Sequence, residues 1–237
     1  MKVAIITGAG RGIGRATALE FASHGVNSVL VSRSSEELKS VALEIQQKYG
    51  LESIVFPCDV ANEDSVIELF DQVESQWGRI DYLVNNAATF SAGLLIDLPL
   101  ETWQNLMRIN VNGVFLFTRE AFRFWKSAKQ GGSVVNISSL SGIRATQKFP
   151  GFSAYTTSKF AVVGMTEAFA AEAVELGARV NCIAPGAVNT KMLRDAAPHL
   201  KTQTEPDDIA KTIWYLSDPT QSGHMNGSIV EIFCNVS

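Results

Sequence analysis

The chain alternates between two kinds of hydrophobic pattern. Short runs, mostly apolar and rich in β-branched residues, fall at residues 3–7, 26–32, 53–58, 80–84, 133–138, 179–184 and 228–233. Between them lie longer segments whose apolar positions recur every three or four residues, at 13–23, 34–49, 62–77, 101–127, 155–176 and 205–217. Continuous apolar runs predict strands buried on both faces, and the helical period predicts amphipathic helices. The punctuation agrees. Gly25, Gly50 and Gly78 follow the first three helical segments, where glycine accepts the left-handed turn that ends a helix. Ser34 with Glu37 has the capping-box spacing, and Pro206 with Asp207 and Asp208 suits a first helical turn.

Strands alternating with helices predict an α/β fold: one doubly wound parallel sheet, Rossmann-like, with helices on both faces and right-handed crossovers. No repeat, linker or low-complexity stretch divides the chain, so residues 1–237 are read as a single domain. One segment breaks the pattern. Asn110 sits in the middle of the 101–127 helix, where asparagine is mildly unfavourable. It is either a polar interface residue or a kinked functional position.

Composition narrows the function. At 46% apolar and 19% charged the chain reads as an ordinary globule, and its net charge of −4 gives no basic footprint for nucleic acid. No apolar span is long enough for a membrane helix, and residues 3–6 are too short a run for a signal peptide, so a cytoplasmic location is expected. Cys58, Cys182 and Cys234 are far apart, and the three histidines lack zinc spacing, so no metal site is expected. The Asn-x-Ser sequons at Asn136, Asn226 and Asn235 carry no meaning without a secretory context.

The chemistry gathers at the ends of the predicted strands. The first runs into Thr7-Gly8-Ala9-Gly10-Arg11-Gly12-Ile13-Gly14 and then a helix. Glycines let a backbone approach a pyrophosphate, and the free N–H groups of a helix start attract its charge. This predicts a dinucleotide site formed by Gly8, Gly10, Arg11, Gly12, Ile13 and Gly14. About 20 residues on, an acid would select NAD and an arginine NADP. Here Ser32-Arg33 carries no acid, and Arg11 offers a second cation, so NADP(H) is expected. Asp59-Val60, Asn85-Asn86-Ala87-Ala88 and Pro185-Gly186 end later strands, where ligands of such sheets bind. Tyr155 and Lys159 lie four apart on a predicted helix, as neighbours on one face. A cation beside a phenol lowers its pKa, which predicts a proton donor and acceptor usable near neutral pH.

Taken together, Thr7-Gly8-x-x-x-Gly12-Ile13-Gly14, Asp59, Asn85-Asn86-Ala87-Ala88, Asn110, a serine after the fifth strand, Tyr155-x-x-x-Lys159 and Pro185-Gly186 with Thr190 resemble the short-chain dehydrogenase/reductase family along nearly the whole chain. The resemblance implies that Tyr155 is the general acid and that Lys159 tunes it and holds the nicotinamide ribose. It implies a serine on the carbonyl oxygen and a water on Asn110 that relays protons. Asp59 and Val60 would touch the adenine, Asn86 and Ala87 the ribose, and Pro185, Gly186, Val188 and Thr190 the nicotinamide end. The family's Ser-x-x-Gly spacing selects Ser139, with Ser138 and Ser141 as alternatives, and the interval to Tyr155 is a few residues longer than usual.

The implied activity is NADPH-dependent reduction of a small-molecule or carrier-bound carbonyl, most like 3-oxoacyl-carrier-protein reductases. A sepiapterin-type small-carbonyl reductase and a non-catalytic NADP(H) sensor are the other readings. The short stretch between Thr190 and Glu205 predicts an open mouth. Helices apolar on more than one face predict a homodimer or homotetramer.

Overall fold

Residues 1–234 are described by a computed structural model. Asn235 and its sequon lie outside the described residues. Seven parallel strands form one sheet in the order β3-β2-β1-β4-β5-β6-β7. They are β1 (Lys2–Thr7), β2 (Val26–Ser32), β3 (Ser53–Pro57), β4 (Tyr82–Asn85), β5 (Ser133–Ile137), β6 (Arg179–Pro185) and β7 (Ile229–Ile232). The helices between them are α1 (Gly12–Ser23), α2 (Ser35–Tyr49), α3 (Glu63–Trp77), α4 (Leu100–Met107), α5 (Gly113–Ala128), α6 (Ser153–Ala173), α7 (Lys191–Ala196), α8 (Pro206–Ser217) and α9 (Pro219–Ser222).

The two-residue period of β1 divides the core. Val3 and Ile5 point to one face, where Val66, Leu69, Phe70, Phe117 and Trp125 from α3 and α5 cover them. Ala4 and Ile6 point to the other, against Phe21, Leu38, Ile45, Ile213 and Trp214 from α1, α2 and α8. Every one of these residues is almost completely buried. This is the three-layer arrangement expected of a parallel sheet, whose strands are apolar on both faces. The parallel register brings Thr7, Ser32, Asn85, Ile137 and Pro185 to the same edge of the sheet. Strand order reverses beside β1, between β2 and β4. Doubly wound sheets bind ligands beyond the carboxyl edge at such a reversal.

Local signals are partly rewired. Ser34 accepts from the Glu37 N–H at 3.4 Å and caps α2, while the reciprocal capping box forms at Glu205 and Asp208 before α8. The predicted continuous helix at 101–127 is interrupted. A π-turn, Arg108–Asn112, separates α4 from α5 and contains Asn110. A single π-turn inside a helix frequently marks a functional site. Two short helices, α7 and α9, were not anticipated by the periodicity. Among the described residues no helix is long and apolar enough to cross a membrane.

Candidate active site

A crevice of about 1800 Å³ runs along the carboxyl edge of the sheet, from Arg11 and Arg33 at one end to Phe149 and Phe233 at the other. It exceeds the roughly 300–1,000 Å³ of an ordinary ligand pocket, so it has room for a dinucleotide and a second molecule together.

Its floor is the β1–α1 turn. Gly8 and Gly12 have φ of +66° and +55°, a region in which a side chain is strained. A Cβ on Gly14 would lie 2.1 Å from the Gly8 carbonyl oxygen. Gly14 is buried and serves the packing of turn against helix. Arg11 stands at the N-cap of α1 without capping it by its side chain, so the first N–H groups of α1 remain open to an anion. Thr7 and Asn86 hold the turn in shape. The Thr7 hydroxyl accepts from the Asn86 and Ala87 N–H groups at 2.9 and 3.0 Å. The Asn86 amide donates to the carbonyls of Thr7 and Gly8. Asn86 lines the crevice, and its amide braces the glycine turn.

At the outer end, Ser32 and Arg33 leave β2 into the crevice. Asp59 accepts from Arg108 at 2.7 Å and from the Ala61 N–H at 3.1 Å. Burial pulls its carboxyl upward, but Arg108, the Ala61 N–H and the charge of Arg33 outweigh that and hold it below the ordinary value. Val60 is buried against Gly113, where a Cβ would come within 2.9 Å of it. One carboxylate here was missed. Glu37, read in the sequence only as a cap, turns back onto the glycine turn and pairs with Arg11 at 3.4 Å. At the inner end Pro185, Gly186, Val188 and Thr190 follow β6 along the wall, and Thr190 caps α7 by accepting from the Leu193 N–H.

The reactive groups sit between these ends. Ser139 begins a 3-10 turn, Leu140–Gly142, that packs against α6. A Cβ on Gly142 would lie 2.5 Å from the Lys159 carbonyl, which accounts for the glycine at that spacing. The Ser139 hydroxyl accepts from the Ser141 N–H at 3.1 Å, and its influence lowers the pKa of the nearby Tyr155 phenol. Ser138 is turned away and buried, donating to the Lys159 carbonyl at 2.8 Å.

Asn110 is buried behind the crevice wall and does not line it. Its amide donates to the Thr89 carbonyl and the Ser158 hydroxyl, both at 3.0 Å, and its oxygen accepts from the Thr89 N–H at 2.8 Å. The π-turn therefore fastens the loop after β4 to α6.

Electrostatics here depart from the sequence expectation. The Tyr155 phenol is pushed up to about 12 by burial, only partly offset by Ser139. Lys159 does not acidify it. Its ammonium donates to the Ile137 carbonyl at 2.9 Å, lies 5.6 Å from the Tyr155 ring centroid, and is pushed down to about 8 by burial. The helical spacing brings the two side chains together, but desolvation is the largest influence on each.

A row of rings leads outward from Tyr155. Phe90 meets Tyr155 edge to face at 5.2 Å and Phe152 at 4.7 Å, and Phe149 meets Phe152 at 5.7 Å. Lys148 closes the loop that carries Phe149 and Phe152, donating to the Ile143 carbonyl and the Thr146 hydroxyl at 2.6 Å each. Among the described residues, no group of three His, Cys, Asp or Glu could hold a metal ion.

Comparison with known proteins agrees with this geometry. Residues 2–201 match the short-chain dehydrogenase family. The chain belongs to the short-chain dehydrogenase/reductase family, and it is an oxidoreductase. Among its relatives, a 3-oxoacyl-acyl-carrier-protein reductase of Synechocystis is 34% identical over 98% of this chain and 95% of the relative. The corresponding reductase of Thermotoga maritima is 34% identical over 98% and 96%. A solved short-chain dehydrogenase/reductase from Mycobacterium marinum superposes with a TM-score of 0.89 at 34% identity, covering 98% of this chain and 94% of that one.

Proposed function

We propose that this reductase uses NADPH to reduce the ketone of a 3-oxoacyl-type carbonyl compound, with Tyr155 as general acid. The observation that carries the reading is that Tyr155, Ser139 and the buried Lys159 ammonium, 5.6 Å from the Tyr155 ring centroid, line one wall of the crevice. The cradle suits the nucleotide: a strained glycine turn, an open helix start and two cations at the outer end. Gly8, Gly10, Gly12 and Ile13 would hold the pyrophosphate, Arg11 and Arg33 the 2′-phosphate, Asp59 and Val60 the adenine, and Pro185, Gly186, Val188 and Thr190 the nicotinamide end. When bound, the reduced nicotinamide supplies the hydride.

The chain's own residues do the rest. Ser139 donates to the carbonyl oxygen and orients it. Tyr155, whose pKa of about 12 keeps it protonated at neutral pH, gives its proton to that oxygen as charge develops there. The Lys159 ammonium would hold the nicotinamide ribose beside Tyr155. Asn110 holds α6, and with it Tyr155, against the loop after β4.

The size of the crevice and the names of the relatives support an acyl group, carrier-bound or free. The ring row from Tyr155 through Phe90 to Phe149 favours, as a second reading, a compact flat carbonyl compound of the sepiapterin-reductase kind. Exposed Phe115 on α5 supports self-association. The test is a panel of 3-oxoacyl thioesters and compact ketones with NADPH, followed by loss of its absorbance. Tyr155→Phe should lower turnover about 10²–10⁴-fold while NADPH still binds. Undiminished turnover by that variant removes Tyr155 from the mechanism. NADPH binding with no carbonyl compound turned over would leave only the sensor reading.

A further inference from the structure

The outer end of the crevice contains an internal acid as well as cations. Glu37 is fixed at the first turn of α2, where its N–H donates to Ser34 at 3.4 Å. From there its side chain lies flat on the glycine turn. A Cβ on Gly10 would fall 2.7 Å from one carboxylate oxygen and 2.9 Å from the Glu37 Cβ. Its other carboxylate oxygen meets Arg11 at 3.4 Å. The pair is accessible, with the Arg11 side chain 64% and the Glu37 side chain 39% exposed, so it is solvated and readily exchanged. On the other side of Ser32, Arg33 makes no ion pair among the described residues and faces Asp59, which Arg108 already holds. The two cations available to a phosphate are therefore unequal. Arg33 is unpaired, whereas Arg11 comes with a carboxylate of its own.

We infer that Glu37 is a displaceable counter-ion that sets the cofactor balance of this crevice. It releases Arg11 to a ribose 2′-phosphate, and it offers its carboxylate to a bare 2′-hydroxyl, so the chain accepts NADH as well as the NADPH of the proposed function, on which this inference rests. A phosphate beside Arg11 must push a like charge aside. A 2′-hydroxyl instead gains an acceptor, which is what an acid at the end of β2 supplies in NAD-selective folds of this type. Here the acid comes from α2, a few residues beyond the position that the sequence rule inspects.

The experiment measures dissociation constants for NADPH and NADH by nucleotide fluorescence on wild type, Glu37→Gln, Arg11→Ala and the double variant. Glu36→Gln is the control, because Glu36 is 86% exposed on the side chain and, among the described residues, pairs with Lys39 alone. Glu37→Gln keeps the shape and the backbone cap, and a thermal melt checks that it folds. The inference expects Glu37→Gln to tighten NADPH and weaken NADH, each roughly two- to fivefold, the scale of an exposed ion pair. It also expects the NADPH gain to vanish when Arg11 is already alanine. An unchanged NADPH-to-NADH ratio in Glu37→Gln, or a gain that persists without Arg11, overturns it. Wild type binding NADH more tightly than NADPH overturns the NADPH reading instead. In that case the Glu37 inference stands if Glu37→Gln still moves the ratio toward NADPH.

Discussion

Lys159→Met isolates the energetic consequence of placing an ammonium in the core. Lys159 is 3% exposed, and burial lowers its pKa from 10.5 to about 8. That difference of roughly 2.5 units corresponds to about 3 kcal/mol of destabilisation while the group is charged. Its hydrogen bond to the Ile137 carbonyl offsets about 1 kcal/mol of this. Methionine fills a similar volume without a charge, so Lys159→Met should be more stable than wild type by about 1–2 kcal/mol at pH 7, and inactive. The pH dependence fixes the sign. Between about pH 8 and 10.5 the unfolded chain holds a proton on Lys159 that the folded chain has lost, so wild-type stability rises relative to the variant. By pH 10 the gain is about 2–3 kcal/mol, enough to bring the two level or reverse them. The assay is urea unfolding of both proteins, under reducing conditions, at several pH values from 7 to 10. Using the difference between them cancels Cys58, raised to about 11 by burial; Cys182, also raised to about 11, does not cancel, because the Lys159 charge acts on it. A variant clearly less stable than wild type at pH 7, or a difference that stays flat to pH 10, would refute the reasoning.

Other outcomes follow from neighbouring contacts. Ser139→Ala should lower turnover about 10²–10³-fold with little change in melting temperature, while Ser138→Ala, which breaks a buried bond to the Lys159 carbonyl, should cost about 1–3 kcal/mol of stability; kinetics and urea melts of both distinguish these roles. Reductive turnover at saturating substrate should fall as pH rises through about 8, where the Lys159 ammonium loses its charge, and a profile flat to pH 10 would contradict this. Gly132→Ala should strongly destabilise or prevent folding, because its Cβ would fall 2.2 Å from the Trp125 ring, and a normal melting temperature would show the contact to be relaxed.

The strands were legible because a parallel sheet covered on both faces leaves an unbroken apolar run in each of them. The turn glycines were legible because positive φ and close backbone contact leave few alternatives. What escaped depends on contacts distant in sequence. The 101–127 segment reads as one helix because its period is continuous, and the break at Asn110 comes from bonds to Thr89 and Ser158. Glu37 reads as a cap because the cap is local, whereas its pairing with Arg11 appears only once α2 folds beside the glycine turn. The i,i+4 rule brought Lys159 to Tyr155 but held no information about burial, and burial decides both pKa values.

The bulge that separates α4 from α5 holds one residue more than a regular turn there would need. Removing one residue from 108–112 would let both segments join as an uninterrupted rod. The flanking segments would keep nearly their present relation, because the bulge is what absorbs the extra residue. Such a shortened chain could keep its sheet and its nucleotide cradle. It would lose the peg that ties the loop after β4 to the helix bearing the phenol, and with it a fixed distance between proton donor and substrate.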